Sequence, residues 1–169
     1  MGQNSSQAAR RSSTLSVNDA RVVPVGTARL DEAWRVLRHL RPGLERRRLA
    51  DALRRGGRAY RLGYRLRGLE VRGRLVALAG GRPLVTLARG PHLHIDDFVV
   101  VPAWRGRGAG RRLLEALEDH ARKRGLAAVH LDSFLDALGF YEALGFTALP
   151  CRAVRKKLTP PPRATRRGS

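Results

Sequence analysis

Apolar and polar residues follow two different periods along the chain, which predicts a mixture of helices and strands. A first helix is indicated by apolar residues at three- and four-residue spacing: Leu30, Trp34, Leu37 and Leu40. A second helix is expected from about Pro42 to Arg55, ended by Gly56 and Gly57. Another apolar stripe predicts a helix closed by Gly125: Leu113, Leu114, Leu117 and Ala121. A last helix is expected over Leu135–Leu144.

Strands are predicted where apolar runs or alternating patterns lie between turn signals. The expected strands are Ala20–Val25, Tyr60–Val71, Leu75–Leu87 (interrupted at Gly80-Gly81), His92–Val101, Ala127–Leu131 and one or two within Phe146–Leu158. Arg72-Gly73 joins the second and third of these as a hairpin. The segment Phe98–Val101 is wholly apolar, which is typical of a strand inside a sheet. The pattern as a whole predicts an α/β protein.

The chain divides into one domain and two polar ends. Residues 1–18 are rich in Ser, Gln and Asn, and residues 159–169 are rich in Pro and Arg, so we expect both to be disordered. A length of 169 residues suits a single domain over residues 19–158. The lone Cys151 excludes a disulfide framework and a multi-cysteine zinc site, and we predict no metal. No apolar run reaches the roughly 18 residues of a membrane span, and a cytoplasmic location is expected.

The net charge is +20, and most of it lies on residues 19–158. A field of this size attracts phosphates, nucleic acid or anionic lipid. Codon bias is an equal alternative, because the only lysines are Lys123, Lys156 and Lys157 and a GC-rich genome favours Arg. That composition also suggests a bacterial source.

The segment Val99–Gly110 carries the most specific signal in the sequence. It combines a strand, Pro102, three glycines at alternate positions and the start of a helix. Glycines at such a turn let several backbone N–H groups point at one anion, and the helix N-terminus adds its dipole. The pattern predicts a diphosphate cradle. It is not a P-loop, which needs a Lys, nor a Rossmann loop, which needs glycine where Arg111 stands.

Arg105–Gly110 resembles the [Q/R]-x-x-G-x-[G/A] motif of the GNAT superfamily of N-acetyltransferases. Ile95–Gly110 is similar to that family's fourth strand and coenzyme A loop, and Phe140–Phe146 resembles its FYExLGF signature. The resemblance covers roughly residues 20–158. It implies a mixed, mainly antiparallel sheet flanked by helices. One departure is Phe134, which stands where many members have an Asn that contacts the cofactor.

The resemblance implies that acetyl-coenzyme A is the co-substrate and that its acetyl group passes directly to a primary amine. It places coenzyme A against the backbone of strand and loop: Phe98, Val99, Val100, Arg105, Gly106, Arg107, Gly108, Ala109, Gly110 and Arg111. A backbone N–H there would also meet the developing oxyanion. Tyr141 occupies the position of the family's general acid, which would protonate the leaving thiolate; its alternative is a core aromatic.

The general base is expected on the strand before the loop. His94 and Asp96 lie two residues apart and share one face, whereas Asp97 is expected on the other face. The family places its base at positions like these, and the sequence does not separate the two. Two further acids, Glu70 and Glu142, are remote candidates. Three other residues are expected to be structural: His120, His130 and Cys151, the last as a small buried residue on a late strand.

Several functions stay open from the sequence. The leading hypothesis is an acetyl-coenzyme A-dependent N-acetyltransferase with an unidentified amine acceptor, a small molecule or a protein. Alternatives are transfer of another acyl group, a GNAT protein that binds coenzyme A without catalysis, and a basic nucleic-acid- or ribosome-associated protein. Nucleic acid is not favoured as a partner, because no aromatic residues interleave with Arg in a single-strand-binding pattern. A homodimer stays open as well.

Overall fold

Five strands form one sheet in the order in which they occur along the chain. The computed structural model describes residues 16–55 and 57–157, which fall into two compact units, 16–131 and 132–157. The strands of the first unit are β1 (Arg21–Val25), β2 (Arg65–Val71), β3 (Arg74–Thr86), β4 (Gly90–Val100) and β5 (Ala128–Leu131). Neighbours pair antiparallel except β4 and β5, which are parallel. The predicted mixed, mainly antiparallel sheet is confirmed.

Four helices belong to the first unit: α1 (Leu30–Leu37), α2 (Arg46–Leu53), α3 (Arg58–Arg61) and α4 (Ala109–Lys123). The predicted second helix was too long, because α2 begins at Arg46 rather than Pro42. The Trp34 indole donates to the Leu44 carbonyl at 2.8 Å, an acceptor that a longer helix would use itself. Within the described residues no helix is long and apolar enough to cross a membrane.

The short helix α3 stands where a strand was predicted to begin at Tyr60. Gly63 has a φ of +85°, a left-handed conformation that ends a helix and suits glycine. The strand therefore starts only at Arg65. A strand was predicted here because α3 is too short to show a periodicity that separates a helix from a strand.

Apolar clusters cover both faces of the sheet. On one face α1 and α2 pack on the strands through a core of ten buried residues: Val25, Ala33, Val36, Leu37, Leu49, Leu53, Leu66, Leu75, Leu78 and Val99. Leu66 belongs to this cluster, whereas the next residue, Arg67, contacts His120 of α4. Because neighbouring strand residues point to opposite faces, α4 covers the other face. The predicted stripe of α4 is buried there.

The second unit contains one short helix, α5 (Leu138–Glu142), after a single 3-10 turn over Leu135–Ala137. Gly145 follows with a φ of +86°. One or two strands were predicted within Phe146–Leu158. This prediction was wrong for the described part of that segment, because residues 147–157 are exposed and form no strand. A strand needs a neighbour to satisfy its backbone groups, and Pro150 removes one donor from this segment. Leu158 lies outside the described residues.

The predicted tails lie mostly outside the described residues. The boundary at residue 18 falls within a single 3-10 turn, Val17–Asp19, which the Ser16 side chain caps by accepting from the Asn18 N–H. The domain limits 19–158 therefore stay a prediction.

Candidate functional site

A β-bulge in β4 shapes the candidate site. Gly80 of β3 pairs with Asp97 and Gly81 pairs with Ile95, so Asp96 is one extra residue in β4. Arg82 pairs with His94, and Gly80 and Arg82 lie two apart on β3, so His94 and Asp97 share a face. The prediction that Asp97 faces away from His94 was wrong. The bulge breaks the strict alternation on which that prediction depended.

Gly80 is required at the bulge for reasons of space. A Cβ atom built there would lie 1.9 Å from the Tyr64 hydroxyl oxygen. That hydroxyl donates to Asp97 Oδ2 at 2.8 Å, and Arg41 forms an ion pair with the other oxygen of Asp97. Burial and the neighbouring carboxylate raise the pKa of Tyr64, which keeps the hydroxyl protonated as a donor. The glycine therefore lets β3 pass beneath a polar network.

The pairing of β4 with β5 stops at the same place. The two strands pair from His92 to Ile95, whereas β4 continues along β3 as far as Val100. Asp96 is therefore the first residue of β4 beyond the fork. β4 as a whole lies between β3 and β5, but the prediction that Phe98–Val101 is an inner strand was wrong: among the described residues Phe98–Val100 pairs with β3 alone, because the ladder with β5 ends at Ile95. Of the apolar run only Val99 is fully buried, and Phe98, Val100 and Val101 are half-buried.

Asp96 lies in a partly buried polar setting. Its Oδ1 is 3.2 Å from Arg82 and 3.9 Å from His94 Nε2. Its Oδ2 is buried and has no hydrogen-bond partner among the described residues. Burial raises the pKa of the Asp96 carboxyl, and the nearby Arg82 and His94 oppose that rise. The structure thus brings together the two residues that the sequence proposed as bases.

Two more histidines lie next to this pair. His92 is buried, and its Nδ1 lies 2.9 Å from the Gly90 carbonyl oxygen. Its ring centroid is 4.7 Å from that of His130, which pairs with His94 across the β4–β5 ladder. Burial, with the charges of His92 and Arg89, lowers the pKa of His130. A neutral His130 packed on His92 fits a structural role.

The loop between β4 and α4 has the conformation that the glycine pattern predicts. Gly106 and Gly108 have φ values of +68° and +81°, and Gly108 is the N-cap of the fifteen-residue α4. Among the described residues no side chain caps the first N–H groups of α4, and a Cβ at either glycine would meet none of their atoms within 4 Å. Backbone N–H donors at the start of α4 therefore lie next to open space at this turn. These features fit the diphosphate of coenzyme A.

The other loop residues are distributed around this turn. Arg105 Nε donates to the Val100 carbonyl at 3.2 Å, and the Arg107 guanidinium lies 6.0 Å from the centre of the Trp104 ring. Arg111 lies 3.9 Å from Glu115, one turn along α4. Ala109 and Gly110 are buried in the first turn. The three arginines add positive charge to the cradle.

Tyr141 lies in α5, within the second unit. It is buried, with its ring centroid 5.0 Å from Phe140 and 5.7 Å from Phe146. Burial raises the pKa of its phenol, so the hydroxyl stays protonated near neutral pH. Phe134 is exposed.

The remaining sequence candidates are placed as follows. Glu70 forms ion pairs with Arg21 and Arg29, whose side-chain hydrogen bonds lower the pKa of its carboxyl. A carboxylate held in this way is a poor proton acceptor. Glu142 is exposed. The prediction of a buried Cys151 on a late strand was wrong: the residue is exposed in an irregular segment, since no strand forms there to bury it.

Three residues of the site were not predicted from the sequence: Tyr64, Arg41 and Arg82. All three come from segments outside the recognised motifs and reach the bulge only through the fold. The adjacent glycines Gly80 and Gly81 were the one local signal, because paired glycines inside a strand indicate a bulge or a close approach.

The family model described as Acetyltransferase (GNAT) family matches residues 28–146. The chain is 36% identical over 108 residues to glucosamine 6-phosphate N-acetyltransferase of Trypanosoma brucei brucei, covering 63% of this chain and 71% of that protein. It is 44% identical over 75 residues to the uncharacterized N-acetyltransferase YhdJ of Bacillus subtilis, or 42% of this chain and about half (53%) of that relative. A crystal structure of a Trypanosoma brucei acetyltransferase matches with a TM-score of 0.68 and 32% identity, covering 83% of this chain and 100% of that one.

Proposed function

The chain belongs to the GNAT family of acetyltransferases, and from this membership we propose that it transfers an acetyl group directly from acetyl-coenzyme A to a primary amine. The family consists of acyl-coenzyme A-dependent transferases with acetyl-coenzyme A as co-substrate. Acetyl-coenzyme A supplies an acetyl group already activated as a thioester. The protein's part is to hold the diphosphate, accept a proton from the amine and donate one to the leaving sulfur.

The turn at Gly106 and Gly108 holds the diphosphate in this proposal. Its support is the positive φ of both glycines together with the N-terminus of α4, which no described side chain caps. Backbone N–H groups bind the phosphate oxygens, and Arg105, Arg107 and Arg111 add charge. The backbone of Phe98, Val99 and Val100 receives the rest of the coenzyme, because β4 extends beyond its last pair with β5 here.

The observation that carries the proposal is the environment of Asp96. A carboxylate oxygen that is buried without a hydrogen-bond partner has an unused capacity to accept a proton. A primary amine is partly or, like that of lysine with its pKa near 10.4, almost wholly protonated at neutral pH, so it must lose a proton before it can attack. We propose that Asp96 accepts that proton. The raised pKa makes Asp96 a stronger base than an ordinary carboxylate, and His94 at 3.9 Å is the alternative acceptor.

Tyr141 is the general acid in this proposal. Replacing it with phenylalanine keeps the ring and removes only the hydroxyl. We expect kcat to fall by at least about tenfold with the affinity for acetyl-coenzyme A little changed, because the hydroxyl acts on charge that develops in the transition state. The effect should be modest, since the raised pKa of Tyr141 makes donation to a thiolate uphill. Steady-state rates and a coenzyme titration measure it.

Tyr60→Phe is the matched control, because Tyr60 stacks on Arg65 and belongs to none of the proposed machinery. An unchanged kcat in Tyr141→Phe would make Tyr141 a core aromatic. A weaker coenzyme affinity with kcat intact would make it a binding residue.

An amine that carries a negative charge is the acceptor we propose. The net charge of +20 favours an anionic molecule, and Arg41 and Arg82 at the bulge keep 53% and 36% of their side chains exposed. The Trypanosoma relative is named for glucosamine 6-phosphate. The test measures thiol release from acetyl-coenzyme A with glucosamine 6-phosphate, glucosamine and spermidine. We expect the phosphorylated sugar to react fastest, and a preference for spermidine would overturn the assignment.

We also propose that the enzyme works in the cytoplasm of a bacterium, on the support of its single cysteine and its Arg-rich composition. Binding of nucleic acid through the positive field is the competing function. A titration with RNA over a range of salt concentrations separates the two, since phosphate contacts weaken steeply with salt.

A further inference from the structure

A pocket lies on the α4 face of the sheet, away from the glycine loop. We call it the α4 pocket. Its floor is apolar and consists of Ala79, Leu93, Ile95, Leu117 and Leu126. His120 of α4 stands at its side, twelve residues after the N-cap Gly108, or about 18 Å along the helix axis. The pocket is thus separate from the turn that would hold the diphosphate.

Three arginines surround this apolar floor: Arg65, Arg67 and Arg124. None of the thirteen described residues that line the pocket is acidic. Glu118 and Asp119, the acids of the same stretch of α4, both pair with Arg122, which does not line it. The cationic side of the pocket is therefore not neutralised by the acids of α4.

Arg67 is the central cation of the pocket. It is half-buried on β2, and its guanidinium lies 3.2 Å from His120 Nε2 and forms no ion pair with a carboxylate of the described residues. Burial and the nearby Arg124 lower the pKa of Arg67, and burial with both arginines lowers that of His120. Burying a cation without an anion costs free energy, and an anion in the pocket would recover part of that cost.

We propose that the α4 pocket binds a small organic carboxylate, with its charge between Arg67 and Arg124 and its apolar body on the floor. Guanidinium groups match the planar carboxylate with paired hydrogen bonds. The apolar floor favours a ligand with a hydrocarbon part over a bare inorganic anion. The ligand would contact Gly80, Gly81 and Ile95, the partners that define the bulge, from the side opposite His94.

Hexanoate is the probe, with 1-hexanol and inorganic phosphate as comparisons that retain only the apolar body or only the charge. We expect calorimetry to show saturable binding of hexanoate at least about tenfold tighter than either comparison. In NMR spectra the largest shifts should fall on Leu93, Ile95, Leu117 and Leu126. If 1-hexanol bound as tightly as hexanoate, the arginines would not form an anion site. If phosphate bound as tightly, the apolar floor would not contribute to binding.

Variants locate the binding. Arg67→Met keeps the apolar stem and removes the charge, and we expect hexanoate affinity to fall about tenfold or more. Arg124→Glu reverses the charge at an exposed position, so it tests the same point if Arg67→Met fails to fold. Arg74→Met is the matched control, because Arg74 is an exposed residue of β3 that does not line the pocket.

Saturating acetyl-coenzyme A distinguishes this site from the proposed active site. We expect hexanoate to bind equally with and without it. Displacement of hexanoate by acetyl-coenzyme A, or unchanged affinity in both arginine variants, would overturn the proposal. Neither result would bear on acetyl transfer itself.

Discussion

Replacing Gly108 with aspartate should abolish the binding of acetyl-coenzyme A, with a loss of affinity of about a hundredfold or more. Like charges brought together at an interface cost several kcal/mol, and each 1.4 kcal/mol is a factor of ten. The new carboxylate would stand at the N-cap of α4, where the diphosphate would meet the backbone donors. Wild-type protein should show a rise in melting temperature with acetyl-coenzyme A, and the variant should show none.

Gly73→Asp is the matched control for this change. Gly73 has a φ of +79°, close to the +81° of Gly108, and a Cβ there would also meet no atom of the described residues within 4 Å. The substitution therefore adds the same charge and a similar backbone strain in the β2–β3 turn. Coenzyme affinity should stay near that of the wild type. If Gly108→Asp kept the wild-type affinity for acetyl-coenzyme A, the diphosphate would not bind at this loop.

The second large effect is expected from Asp96→Asn. Asparagine keeps the size of the side chain but accepts no proton, and general base catalysis typically contributes about a hundred- to ten-thousand-fold. We expect kcat/KM to fall within that range while acetyl-coenzyme A binds as before. The free energy of unfolding should not decrease, because the change removes a charge whose burial is unfavourable.

The pH dependence provides a separate readout. The carboxylate is the form that accepts the proton, so the wild-type rate should fall as the pH drops through the raised pKa of Asp96. That inflection should disappear in Asp96→Asn. Asp97→Asn is the control that keeps Asp96 and should keep the inflection. If His94→Gln removes the inflection and Asp96→Asn does not, the base is His94.

Local patterns were sufficient for the segment from β4 to α4. The apolar run, the alternate glycines and the stripe of α4 each depend on neighbours within a few residues, and the structure has all three. The coenzyme A-binding role of the loop was predicted only from the family resemblance, because glycines alone also suit an ordinary tight turn. His94 and Asp96 lie close together as expected, although the bulge breaks the strand alternation from which their shared face was predicted.

Features that depend on distant partners were not predicted. The bulge at Asp96 exists only because β3 and β4 pair out of step, and it brings Asp97 to the side of His94. Tyr64 and Arg41 reach this place from segments more than thirty residues away. Residues 147–157 include strand-forming types but remain exposed, because strand formation depends on a partner more than on propensity.

Direct acetyl transfer to an amine is tested by a balance of the two products. Wild-type protein is mixed with acetyl-coenzyme A and glucosamine 6-phosphate, and free thiol and N-acetylated sugar are counted together over time. We expect one acetylated amine for each thiol released, with no release above background without amine or in Gly108→Asp. Tight binding of acetyl-coenzyme A with no amine-dependent release for any amine of the panel would contradict it.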